Sequence, residues 1–262
     1  MCEPTYFDVV YSVNPWMDPT RPTDVAVALC EWKAIYECLR DLGHEVQLIP
    51  PLPSQPDMVF CANAGVVVGT RGMAARFRAP FRLDETVAYH DWLITAGVKM
   101  AKPAFVSEGE GDFVVMPGSV PGRGLIFGGW GVRSDLGAQR ELARHLDVEV
   151  VALQLVDERF YHLDTALTIV DHETAAYVPM AFAPASIALI EQHFPTTVRL
   201  DDADALVLGA NAVSDGLHVL CAEEAKGFHV QLADLGFVPI PLAVSELRKS
   251  GGAVRCCVLE LF

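Results

Sequence analysis

Cys256 follows Gly251-Gly252-Ala253-Val254-Arg255, and this stretch is where chemistry is most legible in the 262-residue chain. Paired glycines allow tight turns and positive φ. A cation beside a cysteine lowers the thiol pKa from its ordinary value of ~8.5. That combination suits a thiolate nucleophile, although a buried Cys256-Cys257 pair on a terminal strand would read the same way. A nucleophilic thiol needs a base, and His162 in His162-Leu163-Asp164-Thr165 is the candidate. On a strand, positions i and i+2 share a face, so His162 and Asp164 are expected to point together into a polar pocket. Glu108-Gly109-Glu110-Gly111-Asp112 holds three carboxylates in five residues. Its glycines argue against a helix, and the plain alternative is a solvated acidic loop. Arg133, after Gly128-Gly129-Trp130-Gly131-Val132, could grip a carboxylate through two N–H groups or simply open a helix at the surface. Asp57 ends the proline-rich loop 50–56 and reads as structural.

The elements that must carry these residues repeat. A strand over 6–13 ends at Asn14-Pro15, and a helix over 23–42, capped by Thr23, stops at Gly43. A short strand over 44–48 follows. The same order of helix, stop and short strand returns with helices over 84–96, 134–146, 184–194 and 222–235. The short strands then fall at 98–100, 148–155, 197–200 and 237–240. The stops Gly43, Gly97, Asp147, Pro195 and Gly236 are 54, 50, 48 and 41 residues apart. Further apolar runs lie between units, at 65–69, 113–116 with 125–127, 166–170 with 175–178, and 205–208 with 218–221. An open doubly wound sheet would need only one such run. Five units of about three strands and one helix are expected instead. They would close into an α/β propeller forming one catalytic domain over residues 1–262. Asn63, Glu110, His162, Asn211 and Cys256 keep the same period, at spacings of 47, 52, 49 and 45 residues, each just before an apolar run. Matching places in a closed ring converge on its axis, so Asn63, an acidic residue, His162 and Cys256 should meet in one central pocket.

Bulk properties narrow the ligand. A formal net charge of -15 makes nucleic acid and anionic membrane poor partners and favours a small cation. No apolar run reaches the roughly 18 residues of a membrane span, and the first ten residues lack a secretory pattern. Seven scattered cysteines without zinc spacing suggest free thiols in a reducing, cytoplasmic compartment. No metal and no cofactor are expected; the oligomeric state is open, a homodimer included.

With these motifs in view, the chain resembles the guanidino-group modifying enzymes of the pentein fold. These are the arginine deiminases, dimethylarginine dimethylaminohydrolases and amidinotransferases. The likeness rests on Asp57-Met58-Val59-Phe60-Cys61-Ala62-Asn63, Glu108-Gly109-Glu110-Gly111-Asp112, Gly131-Val132-Arg133-Ser134-Asp135, His162-Leu163-Asp164-Thr165 and Gly251-Gly252-Ala253-Val254-Arg255-Cys256, in that order over nearly the whole chain. It implies a five-unit propeller with a central site. It also implies a mechanism in which Cys256 attacks the guanidinium carbon. His162 would protonate the leaving amine and later activate water. An acid of the 108–112 loop would hold the guanidinium; the family's loop is one residue shorter, which leaves Glu108 and Glu110 as rivals. Arg133 matches the arginine that holds the amino-acid head group, with Arg82 as a second. Two departures bear on substrate. Asp164 is the pattern of deiminases and amidinotransferases and argues against a methylated guanidinium. Asn63 stands where an aspartate is usual and resembles the arginine dihydrolase branch, which proceeds past citrulline to ornithine. The resemblance thus implies hydrolysis of a guanidino C–N bond in arginine or a derivative. Dimethylarginine dimethylaminohydrolase and amidinotransferase activities are the alternatives, set apart by the methylation tolerated and by water access. A non-catalytic, partner-binding pentein would have no reason to keep a Cys, a His and an acid in phase.

Overall fold

Backbone chirality makes the helix stops visible in the structure, a computed structural model that describes residues 1–261. The last position of the expected 1–262 domain lies outside the described residues. Gly43, Gly97 and Gly236 take φ of 92°, 91° and 91°, the left-handed region in which glycine ends helices. Asp147 does the same at φ 58°. The helices they end are α1 (Val25–Asp41), α2 (Leu83–Thr95), α3 (Leu136–Leu146) and α6 (Lys226–Asp234); α4 (Pro184–His193) runs into Pro195. The cap of α1 is Asp24, whose carboxylate accepts from the N–H groups of Ala26 and Val27, and not Thr23, which bonds Asp8.

Four of these helices each bridge two parallel strands, and a hairpin partner completes a three-stranded sheet. The sheets are β1 (Gly65–Val68), β2 (Arg71–Ala74) and β3 (Lys99–Ala101); β4 (Phe113–Val115), β5 (Leu125–Trp130) and β6 (Glu149–Gln154); β7 (Leu167–Ile169), β8 (Thr174–Tyr177) and β9 (Thr196–Arg199); and β10 (Val213–Ser214), β11 (His218–Ala222) and β12 (Val238–Leu242). In each sheet the first pair is antiparallel and the second parallel, the second joined through a helix as parallel pairing requires. Strands β1, β4 and β7 are buried throughout, whereas β3, β9 and β12 are mostly accessible. The first strands also pack on one another across sheets, β4 and β10 on β7, which places them innermost.

Four sheets, not five, are present among the described residues, so the sheets do not by themselves display the expected five-unit propeller. The first unit supplies α1 and one isolated parallel bridge, Cys2 to Ile49. Residues 6–13 form no strand, and residues 44–48 none. The run 205–208 follows the short helix α5 (Asp202–Ala205), whose cap Asp201 accepts from the Asp204 N–H, and the strand falls later at β10. What survives is the placing of the polar residues. Short 3-10 turns at Cys61–Ala64, Gly109–Gly111 and Leu163–Thr165 each lead into an inner strand. Together with the turn Arg255–Cys257 they pack on one another. No helix among the described residues is long and apolar enough to cross a membrane.

Candidate active site

The nucleophile candidate sits on the turn Arg255–Cys257, not on a strand, and its thiol is 1% exposed. Cys256 Sγ lies 3.1 Å from Asp164 Oδ2 and 3.1 Å from Asn211 Nδ2. Burial first, and then the Asp164 carboxylate, push this thiol well above its ordinary pKa, so it rests protonated. Asp164 in turn is pushed up to about 7 by burial, against the thiol's hydrogen bond and the charge of Arg255.

His162 belongs to a second cluster. It caps the turn Leu163–Thr165, so the strand geometry expected for His162-Leu163-Asp164 is absent, and the two polar side chains part. Asp164 reaches Cys256, while His162 Nε2 meets Glu108 Oε2 at 2.8 Å. His162 Nδ1 faces Asn63 Nδ2 at 3.4 Å. Asn63 Oδ1 accepts from Arg82 Nη1 at 2.8 Å, so the amide must turn its N–H₂ toward the imidazole. That leaves Nδ1 as acceptor and puts the ring proton on Nε2, bonded to Glu108. Burial pushes the imidazole down to about 4; Glu108 opposes this, and Arg133 and Arg82 add to it. Glu108 itself is fully buried, yet the Arg133 guanidinium and the His162 bond outweigh that burial and hold it down to about 2. Asp112 orients this side: it accepts from Ser134 Oγ at 2.6 Å and from the Leu163 N–H at 3.3 Å. Between the two carboxylates runs Gly111, where a Cβ would lie 2.3 Å from Asn63 Nδ2 and 2.9 Å from His162 Nδ1.

The rival acids separate. Glu108 bonds His162 and Arg133, at 2.8 Å each. Glu110 turns away and bonds Arg255 Nη2 at 2.9 Å and the Glu260 N–H at 3.0 Å. Glu110 therefore ties the carboxylate loop to the turn of Cys256, and Arg255 spends its charge there and not on the thiol. Arg255 also meets Glu260 Oε2 at 3.1 Å, and burial pushes Glu110 up to about 8 against the pull of Arg255.

The two arginines differ too. Arg133 Nη1 bonds Glu108, its Nη2 bonds the Val13 carbonyl at 3.1 Å, and the guanidinium lies 4.7 Å from the Tyr161 ring. Arg82 is committed elsewhere than to a head group. It forks onto Glu85 at 2.9 and 2.7 Å and also bonds Asn63 and the Asp57 carbonyl. Its visible work is to fix the Asn63 amide.

Sequence reasoning missed several contributors. Asn211 kept the period but carried no recognisable motif. Asp57 joins distant segments, accepting from Tyr11 at 2.6 Å and Ser250 at 2.7 Å. Asn14 bonds the Ser250 carbonyl, and Trp16 the Arg159 carbonyl. With Val13, whose carbonyl accepts from Arg133, these fasten residues 13–16 against the site. A separate cavity of about 670 Å3, lined by Val114, Leu167 and Val213 among others, borders the cluster at Arg255 and Glu260.

No protein-family model matches the chain. It is 44% identical over 261 residues to the N(G),N(G)-dimethylarginine dimethylaminohydrolase of Mycobacterium tuberculosis, covering 100% of this chain and 84% of that protein. It is 33% identical over 266 residues to the bifunctional arginine dihydrolase/ornithine cyclodeaminase ArgZ of Synechocystis, covering 100% of this chain but 37% of the relative's length. Among solved structures, the N-terminal domain of ArgZ with a covalently bound reaction intermediate matches at a TM-score of 0.93 and 31% identity, over 100% of this chain and 96% of that one.

Proposed function

The chain belongs to the guanidino-group modifying enzymes of the pentein fold, and from that membership we propose that it hydrolyses a guanidino C–N bond of arginine or an arginine derivative through a covalent bond to Cys256. The observation that carries this reading is a pair of buried contacts built from three turns, the Cys256 thiol on Asp164 and His162 on Glu108, joined by the turn that carries both Asp164 and His162.

In the reaction, Cys256 Sγ gives its proton to the neutral His162 as a cationic guanidinium arrives beside it. The cation reverses the effect of the Asp164 carboxylate on the thiol. Sulfur adds to the guanidinium carbon. The C–N bond breaks, and the leaving amine takes a proton from His162. Water then adds to the same carbon, giving its proton to His162, and the C–S bond breaks to return the thiolate and release a ureido product. Glu108 anchors His162 as it gains charge, Asp164 pairs the guanidinium N–H groups, and Arg133 is the candidate for the substrate carboxylate once it leaves Glu108. A cytoplasmic setting is part of the reading, supported by seven free cysteines.

Substrate choice follows from Asp164 and Asn63. A carboxylate at Asp164 favours guanidinium nitrogens that still carry N–H; leaving a buried polar group unpaired costs about 1–3 kcal/mol, more for a charge. Arginine is therefore expected to exceed asymmetric dimethylarginine in kcat/KM. The Asn63 amide both donates and accepts, so a neutral ureido group can stay bound for a second attack, and Asn63→Asp should shift the product from ornithine toward citrulline. Product analysis with both substrates checks this. A preference for dimethylarginine would replace the reading with a dimethylarginine dimethylaminohydrolase, which the 44% identical relative favours.

The raised Asp164 pKa makes binding pH-dependent. A carboxyl held at about 7 is protonated in acid and cannot pair with a cation, so arginine affinity should rise with pH through that value and level off above it. Calorimetric titration of a Cys256→Ser variant, which cannot turn over, measures this. Affinity that stays flat across that range would remove Asp164 from the site.

A further inference from the structure

Asn211 has no part in the reaction described above, yet its amide is fully buried against the nucleophile. Oδ1 accepts from the N–H groups of Ala253 at 3.1 Å and Cys256 at 3.2 Å. Nδ2 donates to the Asp164 carbonyl at 3.0 Å and to Cys256 Sγ at 3.1 Å. Two acceptor sites and two N–H donors are the whole capacity of an amide, and all four are used. The orientation is forced. Rotated by half a turn, the amide would set its oxygen against a carbonyl and its N–H₂ against two N–H donors.

We propose that Asn211 is a further catalytic residue: its Nδ2–H stabilises the Cys256 thiolate as it forms, while its Oδ1 holds the turn that carries it. The proposal rests on Cys256 being the nucleophile. The sulfur needs such a donor. Asp164 Oδ2 faces it at 3.1 Å and is an acid, and the Tyr161 hydroxyl donates to the Gly251 carbonyl instead. Within its own turn Cys257 is a second thiol, and Arg255 points to Glu110 and Glu260. The N–H from the segment before β10 is thus the one side-chain donor hydrogen-bonded to the thiol among the described residues. It is aimed before the reaction begins, so no reorganisation is needed when charge develops.

Asn211→Asp tests the two roles separately. The carboxylate still accepts from Ala253 and Cys256, so the turn stays held, but the N–H toward sulfur is gone. Expected are a roughly 10–100-fold lower kcat, the range of a lost hydrogen bond to a charged group, with KM within about threefold. Iodoacetamide labelling of Cys256 should move to higher pH. Asn211→Ala, which has no donor at any pH, should show the same upward shift together with a lower Tm. If the alanine variant does not fold, the aspartate variant decides. Either a wild-type kcat or a wild-type labelling profile in Asn211→Asp overturns the proposal and leaves Asn211 a purely structural clamp. An active Cys256→Ser enzyme would instead remove the hydrolase reading beneath it.

Discussion

Cys256→Ser should abolish turnover, by roughly 10⁴-fold or more, while the protein still melts cooperatively. The serine hydroxyl fits the space of the thiol and can keep both of its partners, Asp164 Oδ2 and Asn211 Nδ2, each 3.1 Å from the sulfur. The variant therefore retains the geometry and loses the nucleophile, because a hydroxyl ionises far less readily than a thiol. Cys257→Ser makes the contrast. Cys257 shares the turn but packs among buried apolar side chains such as Val254 and Leu247. A hydroxyl there is buried without an assigned partner, so the cost should fall on stability, about 1–3 kcal/mol, with kcat near wild type. Steady-state assays and thermal melts of both variants separate the two roles. Inactivation by iodoacetamide with the label on Cys257 alone would reverse the assignment.

The period of the polar residues was legible because it follows from topology. Each inner strand is preceded by a turn, and turns entering neighbouring inner strands meet whatever the details of pairing. Local geometry was less legible. His162 and Asp164 were expected on one strand face; they flank a 3-10 turn and serve different clusters, so the right neighbourhood was reached by the wrong route. Residues 6–13 read as a strand, yet Tyr11 and Val13 are spent on Asp57 and Arg133. Glu108 and Glu110 could not be told apart because what separates them is remote: Arg133 on one side, Arg255 on the other. Asn211 was silent for the same reason. Its partners are main-chain groups at 164, 253 and 256, which carry no side-chain signature.

His162→Asn carries the second large effect, a fall of roughly 10²–10⁴-fold in kcat with the fold intact. The substitution is conservative toward the surroundings. An asparagine oxygen takes the place of Nδ1 and can accept from Asn63 Nδ2, while Glu108 keeps its bond to Arg133 at 2.8 Å. What the asparagine cannot do is take up a proton and give it back. In the wild type, burial keeps the ring neutral down to about pH 4, so it is ready to accept the thiol's proton at neutral pH. The Glu108 carboxylate, held ionised down to about 2, then stabilises the imidazolium that must protonate the leaving amine. Because His162 is already neutral across the working range, the acid limb of kcat/KM should come from Asp164 near 7 and not from the histidine. The second half-reaction depends on the ring as well, since water must lose a proton to attack the adduct. The variant should therefore stall with the amidino carbon on Cys256, visible as added mass on that peptide after quenching. Wild-type turnover in His162→Asn would remove the acid–base mechanism outright.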